Sequence, residues 1–312
     1  MSQNTRRLPD QVVNPFDSPG SWLKGCLHLH TTASDGACTP EDTLRRYRRL
    51  GYDFIGISDH ESITIPESVP EGLIWIPAVE YATTSNDPPE HWHIVSVGTR
   101  KDLAVAGYPV KTIVKLLGEI SPFFFVAHPY WSNQGGDDIL ELPDFCAVEI
   151  YNHMAHVWLD RGRGEFYWDY LLSAGRRVWG VAGDDTHRPE HIGGGRVKVR
   201  VTEHSADAIV SALKAGMFYA TTGPDILDIR IDEAGVSVRT SPVRSISFIA
   251  DRFRGAFIEA EPGETLDEAR YDFRGDETYL RIQCVDASGC LAWSNPVCFW
   301  KPPEPAEESE ST

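Results

Sequence analysis

The chain has 312 residues, and its 46 Asp and Glu residues outnumber its 29 Lys and Arg residues, which gives a formal net charge of −17. This charge repels nucleic acid and anionic membranes, because phosphate binding depends on a surface rich in Lys and Arg. We therefore expect no long nucleic acid and no membrane among its partners, whereas a local pocket for one small anion is compatible with the composition. The hydrophobic share of 41% is that of a globular protein.

The cysteines and the apolar segments indicate the compartment. Six cysteines are spread along the chain without a C-x-x-C pair, so we expect reduced thiols rather than a disulfide framework. The first residues contain no apolar segment typical of a signal peptide. No apolar run approaches the roughly 20 residues of a membrane span. The sequence therefore predicts a cytoplasmic protein.

Short β-like runs alternate with helical runs between Lys24 and Pro224, which is typical of repeated βα units. Strands are predicted at 25–30, 53–58 and 72–79, and three more are predicted to end at His128, Glu149 and Asp185. Helices are predicted after the capping residue Thr39 and at 109–118, 165–174 and 206–215. This order predicts an α/β fold whose strands form a parallel sheet or a barrel.

The helical periodicity disappears after Pro224. Short strands are predicted at 226–238, 245–250, 279–285 and 296–300, and Gly, Asp and Ser residues separate them. The predicted domains are an N-terminal extension at 1–20, an α/β domain at 21–224, a small all-β module at 225–301 and a disordered acidic tail at 302–312.

Histidines and carboxylates stand where the predicted strands end. His28 and His30 flank one residue of an extended segment, so their side chains lie on the same side of it. Because the carboxyl ends of the strands in a βα barrel meet on one face, residues distant in sequence reach a common site there. The candidate metal ligands are His28, His30, Asp35, His60, Glu80, His93, His128, Asp185 and His187.

Imidazoles and carboxylates are the ligands that suit zinc, manganese or iron. One ion takes about four to six ligands, so nine candidates predict two or three divalent ions that share a bridging carboxylate. Taken singly, each motif has a structural explanation, since a His-x-His is often part of a packed strand and an Asp-His pair can cap a turn. The joint order of the motifs along the chain favours the metal cluster.

These motifs resemble the successive motifs of the PHP (polymerase and histidinol phosphatase) domain. The segments that carry the resemblance are 28–36, 57–60, 127–129 and 183–187, and the resemblance covers roughly residues 21–224. It implies a distorted seven-stranded βα barrel with a trinuclear metal site at the carboxyl ends of the strands.

The resemblance also implies an assignment of the ligands. One metal would be surrounded by His28, His30, Glu80 and Asp185, a second would be bridged by Glu80 and held by His93 and His128, and a third would be held by Asp35, His60 and His187. His91 is an alternative to His93, which we prefer because the apolar strand begins directly after it. Ser58 and Asp184 depart from the usual motif, in which Thr and Ser or Asn are common, but neither departure removes a ligand.

A narrower resemblance covers the later part of the chain. Residues 212–224 and 292–296 are similar to the carbaryl-hydrolase-like subgroup of PHP metallohydrolases. That subgroup is named for a carbamate ester hydrolase, whereas the wider family mostly cleaves phosphoesters. The resemblance therefore leaves both ester classes open.

Further side chains are predicted around the metals. Asp59 and Asp184 are expected to orient His60 or a water molecule by hydrogen bonding. Candidate substrate contacts are Glu149, Asn152, Arg161 and Arg188, beside the further loop arginines Arg163 and Arg196. The aromatic residues Tyr130, Trp131, Tyr151 and Trp158 either wall a pocket for an apolar leaving group or pack in the core.

The sequence predicts a metal-dependent hydrolase, most favourably a phosphoesterase that cleaves a small phosphomonoester or phosphodiester with a metal-activated hydroxide. No side-chain nucleophile is expected, because the sequence has no G-x-S-x-G elbow. Carboxylic or carbamate ester hydrolysis on the same metals is the alternative. Two further hypotheses are a non-catalytic metal-binding module and an amidohydrolase-type barrel. The expected partners are a small anionic or ester substrate and two to three Zn, Mn or Fe ions.

Overall fold

The computed structural model describes residues 12–86 and 89–299. The predicted tail at 302–312 lies outside these ranges, as do the first eleven residues of the predicted N-terminal extension. The strands up to residue 221 are β1 Ser21–Cys26, β2 Phe54–Ile57, β3 Ile74–Asn86, β4 Pro89–Val97, β5 Phe123–Val126, β6 Ala147–Asn152, β7 Trp179–Gly183, β8 Arg196–Val201 and β9 Phe218–Thr221.

Helices connect these strands. They are α1 Pro40–Arg49, α2 Val110–Ile120, α3 Gly136–Leu140, α4 His153–Leu159, α5 Glu165–Ser173 and α6 Ala206–Lys214. The start of α1 follows from its sequence, because Thr39 Oγ1 accepts a hydrogen bond from Asp42 N at 3.2 Å and Pro40 occupies the first turn. Acidic residues in the first turn and arginines in the last turn both stabilise the helix dipole.

The order of the strands determines where their ends lie. β1, β2 and β3 are parallel neighbours, β4 is antiparallel to both β3 and β5, and β5, β6 and β7 are again parallel. β8 is antiparallel to both β1 and β9. Asp185 N donates to His28 O at 2.8 Å, and His30 N donates to Thr186 O at 2.9 Å. These two bonds join the chain after β7 to the chain after β1, so the carboxyl ends of the two strands lie together.

The C-terminal strands are β10 Ile226–Ile231, β11 Gly235–Val243, β12 Ser245–Ala250, β13 Gly255–Glu259, β14 Leu266–Asp272, β15 Tyr279–Val285, β16 Leu291–Ser294 and β17 Val297–Cys298. β10, β11 and β14 form a three-stranded antiparallel sheet. The other strands extend the large sheet, because β16 pairs antiparallel with β9 and places Trp293 opposite Ala220. The fold is therefore mixed α/β, with one large sheet of parallel and antiparallel strands that continues past residue 224.

Some predicted elements differ from the observed ones. The predicted helices at 109–118, 165–174 and 206–215 are present as α2, α5 and α6, whereas α3 and α4 were not predicted. The single strand predicted at 226–238 is wrong, because Asp232 Oδ1 accepts hydrogen bonds from Ala234 N and Gly235 N and makes a turn between β10 and β11. The strand predicted to end before Glu80 instead continues to Asn86 and forms a hairpin with β4.

A buried ion pair joins the C-terminal strands to the helical layer. Arg281 of β15 is 2% exposed and donates to both carboxylate oxygens of Asp169 in α5, at 2.7 and 2.6 Å. Its guanidinium lies 5.0 Å from the ring centroid of Trp168. The two regions therefore contact each other through a paired buried charge. Among the described residues, the helices are too short or too polar to cross a bilayer.

Candidate metal centre

The predicted ligands follow the ends of four strands or lie in one hairpin, and the structure brings all nine into one cluster. Within each of five overlapping groups, the candidate donor atoms lie within 4.8 Å of one another. The groups are His28–His128–Asp185, His28–His30–Glu80, His30–Asp35–His60, His30–Asp185–His187 and His60–Glu80–His93. Because the groups share members, the cluster is continuous.

The deepest part of the cluster contains two imidazoles and two carboxylates. His28 Nε2 lies 3.2 Å from Glu80 Oε1 and 3.4 Å from Asp185 Oδ1. His30 Nε2 lies 3.0 Å from Glu80 Oε2 and 3.2 Å from Asp185 Oδ1. All four residues are buried. Two carboxylates from different strands therefore face the same pair of imidazoles.

The outer part of the cluster is open to solvent. Asp35 is 52% exposed, and its Oδ2 lies 3.2 Å from His187 Nε2 and 3.7 Å from His60 Nε2. Its Oδ1 lies 3.5 Å from His30 Nδ1. His30 therefore connects the outer group to the buried one. His91, the alternative to His93, is exposed and belongs to none of the groups found in the described chain.

Four buried atoms of the cluster are suited to binding cations. His28 Nε2, His30 Nε2, His60 Nδ1 and Asp185 Oδ1 have no hydrogen-bond partner among the described residues. Carboxylate oxygens of Glu80 lie 3.0–3.5 Å from the three imidazole nitrogens, but these contacts do not form hydrogen bonds. Buried polar atoms are otherwise almost always hydrogen-bonded. Imidazole nitrogens and carboxylate oxygens left in this state fit divalent ions such as zinc, manganese or iron.

The charges in the cluster depend on one another. Burial lowers the pKa of His28, but the carboxylates of Asp185, Glu149 and Glu80 outweigh burial and raise this pKa well above its usual range. Burial also lowers the pKa of His30, but Asp185 and Glu80 outweigh burial and raise this pKa to about 10. Burial raises the pKa of Asp185, while His28 and His30 bring it well below its usual range. Protons and cations therefore compete for the same donor atoms.

Two candidate ligands have strained backbone. His128 has a φ of 26° and Asp185 a φ of 52°, in the left-handed region that non-glycine residues rarely adopt. His128 N is held by Glu149 Oε2 at 2.8 Å, and Asp185 N is held by His28 O at 2.8 Å. Strain that neighbouring hydrogen bonds maintain is concentrated at functional sites in proteins.

Glu149 and Asn152 contact the candidate ligands rather than an open pocket. Glu149 Oε1 lies 3.0 Å from His28 Nδ1, and Oε2 accepts hydrogen bonds from His128 N and Asn152 Nδ2. Asn152 Nδ2 also donates to Asp185 Oδ2 at 3.0 Å. Both side chains are buried. The expectation that they contact substrate is therefore replaced by a positioning role, because their polar atoms are engaged inside the protein.

One sequence signal points to this role. Glu149 stands between Val148 and Ile150 in a strand that is apolar on both faces, and a carboxylate buried in such a strand requires partners. The space for its side chain depends on Gly183, since a Cβ atom there would lie 2.6 Å from Glu149 Oε1 and 2.9 Å from His28 Cβ. The close approach of β6 and β7 therefore places Glu149 against His28.

Asp59 holds the turn that carries two of the candidate ligands. It accepts hydrogen bonds from Thr31 N and Oγ1, from Ser34 Oγ and from Thr64 Oγ1, at 2.6–2.7 Å. These bonds occupy the carboxylate of Asp59. Among the described residues, Asp59 makes no hydrogen bond to His60. The carboxylate of Asp59 therefore faces the turn after β1 and not His60, and the alternative contact with a water molecule stays a prediction.

Asp184 likewise supports backbone rather than His60. Its oxygens accept hydrogen bonds from Tyr47 OH at 2.8 Å, Gly193 N at 2.7 Å and Gly195 N at 2.6 Å. Burial raises the pKa of Asp184 to about 6, although these donors lower it. Asp184 therefore positions the loop after His187, which borders the outer group.

The four loop arginines occupy different surroundings. Arg188 is exposed and lines a cavity of about 360 Å³ together with Asp35 and His187. Arg161 is also exposed, with its guanidinium 5.7 Å from the ring centroid of Tyr130. The other two are engaged elsewhere, Arg163 with Glu165 and Arg196 with the carbonyl oxygens of Thr222 and Gly223. Of the four, Arg188 is the one that shares a cavity with candidate ligands.

No protein-family model matches the sequence, and no curated protein matches it either. A solved two-domain protein from Bacteroides vulgatus, described as containing a predicted PHP-like metal-dependent phosphoesterase, superimposes with a TM-score of 0.52 at 15% identity, covering 95% of this chain and 99% of that one. This likeness shows that the chain shares the fold of a PHP-like protein over nearly its full length.

Two other solved structures are similar over a smaller part of the chain. PsfC from Pseudomonas syringae has a TM-score of 0.42 at 14% identity and covers 61% of this chain and 87% of its own. An amidohydrolase from Chromobacterium violaceum has a TM-score of 0.40 at 14% identity and covers 62% of this chain and 96% of its own. At these scores the fold assignment depends on the Bacteroides structure.

Proposed function

We propose that this chain is a PHP-type metal-dependent hydrolase that cleaves a small phosphomonoester or phosphodiester. The position of Glu80 carries the proposal. Its carboxylate oxygens lie within 3.5 Å of imidazole nitrogens of His28, His30, His60, His93 and His128. A buried carboxylate among imidazoles from different strands is suited to bridge cations, and sites of this kind include those of phosphatases and nucleases.

The proposed centre holds three cations. The ligands would be His28, His30, Glu80 and Asp185 for the first, Glu80, His93 and His128 for the second, and Asp35, His60 and His187 for the third. The contacts of Glu80 and the separate solvent-exposed group around Asp35 support this division. Zinc, manganese and iron all accept imidazole and carboxylate ligands.

When bound, the cations would supply Lewis acidity, which lowers the pKa of a water molecule and polarises the ester oxygen. The side chains of the protein prepare the site. Glu149 would accept a hydrogen bond from His28 Nδ1–H, which leaves Nε2 free to bind a cation. Arg188 places a positive charge beside the cavity, where phosphate oxygens would lie. In the overall reaction water adds to phosphorus, the P–O bond to the alcohol breaks, and the alcohol leaves with a proton.

We assign the chain to the carbaryl-hydrolase-like subgroup within this proposal. The two segments that carry the subgroup resemblance contact each other, because Asn295 Nδ2 donates to the carbonyl oxygens of Gly216 and Phe218. Cleavage of a carbamate ester instead of a phosphoester is the second candidate.

We also propose that residues 21–224 form a distorted seven-stranded barrel and that residues 225–301 form an all-β module. We further propose that the enzyme is cytoplasmic. A hydrophobic cluster that joins Val238, Phe248 and Ile282 supports a core in the second part, to which Tyr219 of β9 also contributes.

The test of this function compares ester classes. The purified protein, loaded with Mn²⁺ or Zn²⁺, is assayed on p-nitrophenyl phosphate, bis-p-nitrophenyl phosphate and 1-naphthyl N-methylcarbamate. We expect turnover of at least one phosphate ester, and metal analysis should give two to three ions per chain. Turnover of the carbamate alone would make the phosphoesterase assignment wrong, and a metal content at or below one ion would contradict the trinuclear centre.

The contribution of the cluster is tested with a matched pair of variants. Asp185→Asn removes a buried charge between two imidazoles, so we expect kcat to fall by at least about 100-fold and one cation to be lost. Asp207→Asn changes an exposed aspartate paired with Arg100 and should leave both quantities unchanged. Equal activity of the two variants would show that the cluster is not the reaction centre.

A further inference from the structure

The end of α4 is apolar and exposed. Val157, Trp158 and Leu159 are consecutive in the sequence and are 54%, 66% and 59% exposed. The ring of Trp158 stacks on that of Trp131, with centroids 5.6 Å apart and planes inclined by 20°. Contiguous exposed apolar side chains of this size mark binding surfaces more often than ordinary surface.

Val157 and Trp158 of this apolar surface line the same cavity as the outer part of the candidate metal centre. The cavity of about 360 Å³ is lined by Met154, Val157 and Trp158 and also by Asp35, His187 and Arg188. Its volume is within the range of small-molecule sites. A molecule bound here therefore meets candidate metal ligands and an arginine as well as an aromatic side chain.

The two sets of lining residues suit different parts of one substrate. Asp35 and His187 belong to the metal-ligand groups, and Arg188 carries a fixed positive charge, so an anionic ester group fits between them. Trp158 is supported by Trp131, which fixes its plane and leaves most of the ring accessible. A planar ring stacks on such a surface at little entropic cost. An aliphatic or strongly polar leaving group would gain less binding affinity from contact with Trp158.

We propose that Trp158 is a specificity-determining residue, and that the substrate is an aryl ester whose aromatic leaving group stacks on Trp158 while its anionic group lies between Arg188 and the metal centre. This inference rests on the proposed hydrolase function and adds the class of the leaving group. It assigns the exposed end of α4 to the substrate rather than to a second copy of the chain.

The experiment compares two phosphate esters in four proteins by release of inorganic phosphate. 1-Naphthyl phosphate has a leaving group with two fused aromatic rings, whereas the leaving group of ethyl phosphate has no aromatic ring. The proteins are wild type, Trp158→Ala, Trp158→Phe and the control Phe253→Ala, which changes an aromatic residue that is 89% exposed in the turn between β12 and β13. Each variant is compared with wild type on the same ester, so the intrinsic reactivity of the two esters cancels.

We expect Trp158→Ala to raise KM for 1-naphthyl phosphate about tenfold and to leave KM for ethyl phosphate within about twofold. Trp158→Phe should lie between wild type and Trp158→Ala, and Phe253→Ala should match wild type. Equal effects of Trp158→Ala on both esters would overturn the proposal. A change of sedimentation coefficient in Trp158→Ala with no change in ester preference would assign the surface to self-association and would also overturn it.

A binding measurement separates this inference from the proposed function. Calorimetric titration of the metal-loaded protein with 1-naphthylphosphonate and ethylphosphonate involves no turnover. We expect wild type to bind the naphthyl compound about tenfold more tightly than Trp158→Ala does, with no such difference for the ethyl compound. If wild type hydrolyses neither ester but this difference is present, the phosphoesterase function fails and the aromatic subsite stands. Equal affinities of wild type and Trp158→Ala for the naphthyl compound would contradict the aromatic subsite, whatever the hydrolytic activity.

Discussion

Glu149 illustrates how a single buried residue organises the centre. Its carboxylate contacts His28 and Asn152 and also accepts the backbone N–H of His128. Burial of a carboxylate is costly unless it is paired and hydrogen-bonded. Glu149 meets this condition with candidate ligands from two strands and with Asn152, which reaches a third ligand, Asp185. The residue therefore couples parts of the site that different strands supply.

We expect Glu149→Gln to reduce the affinity for Mn²⁺ or Zn²⁺ by about 10–100-fold while the protein remains folded. The amide keeps the shape of the side chain but loses the charge that orients His28 Nδ1–H and leaves Nε2 free. Competition with a chelator measures the affinity, and circular dichroism monitors the fold. Glu264→Gln, at an exposed position, is the control. Unchanged affinity in Glu149→Gln would mean that Glu149 does not position the ligands.

At this scale the sequence predicted the members of the cluster better than the side chains that support them. His28 and His30 were identifiable because a local spacing puts both side chains on one side of the chain. Glu149 and Asn152 were predicted to contact substrate, because they stand at the end of a strand on the face of the site. In a regular strand, residues three apart face opposite sides. The register between β6 and β7 shifts between Glu149 and Tyr151, and this bulge lets Asn152 Nδ2 reach Glu149. A bulge depends on pairing with a distant strand, so the local sequence does not reveal it.

The hairpin of β3 and β4 supplies two candidate ligands from strand interiors rather than ends. Glu80 is opposite Val95 and His93 is opposite Ala82, and Glu80 also forms a bridge with His60. Glu80 is therefore fixed by backbone pairing on both sides. The sequence predicted the position of Glu80 in the site but not the hairpin, because the predicted strand ended where the apolar run ends.

The turn between β14 and β15 depends on one carboxylate. Glu277 is buried and accepts hydrogen bonds from Tyr271 OH, Arg274 N and Gly275 N, at 2.7–3.0 Å. Burial raises its pKa, but the backbone and tyrosine donors outweigh burial and lower the pKa below its usual range. A carboxyl group with a lowered pKa stabilises the folded state above its unfolded pKa, and this contribution is lost as the pH falls through the folded pKa.

We therefore expect Glu277→Gln to lower Tm by several degrees at pH 7 and to reduce the loss of stability between about pH 5 and pH 3. Wild type and variant should converge at the acid end of this range, where Glu277 is protonated. Thermal unfolding at a series of pH values measures both effects, and Glu264→Gln again serves as an exposed control. Parallel pH profiles of wild type and Glu277→Gln would contradict the role of the charged carboxylate.

At the scale of the whole molecule, the ion pair between Arg281 and Asp169 connects the C-terminal strands to α5. Tyr279 OH also donates to Asp169 Oδ1 at 3.1 Å. Trp293 of β16 lies 6.0 Å from the ring of Tyr151 in β6. The C-terminal region therefore contacts the strand that carries Glu149, and it supports the site as well as extending the sheet.

Asp169→Asn should lower the free energy of unfolding by about 2 kcal/mol, because it leaves the buried guanidinium of Arg281 without its counter-charge. The expected loss is moderate because Asp169 itself is partly exposed. The double variant Asp169→Asn with Arg281→Met should recover part of this loss, since it removes the unpaired charge. Urea unfolding measures both, with the exposed aspartate variant Asp207→Asn as control. A double variant less stable than Asp169→Asn would show that Arg281 stabilises the interface by packing alone.

The overall architecture was predictable only in part. Alternating strands and helices between Lys24 and Pro224 predicted an α/β fold, because each βα unit has its own local periodicity. The continuation of the large sheet through β9 and β16 was not predictable, since Ala220 and Trp293 pair across a long interval of sequence. The buried pair of Arg281 and Asp169 is equally non-local and has no sequence signature.

The joining of the chain after β7 to the chain after β1 bears on how the protein is made. The two backbone bonds at this junction are donated by Asp185 and His30, whose side chains also belong to the candidate centre. A newly synthesised chain therefore has no complete set of candidate ligand atoms until the segment after β7 reaches the segment after β1. Cations that bind the closed form more tightly than the open chain would favour closure by mass action. Cation uptake would thus report the formation of this junction.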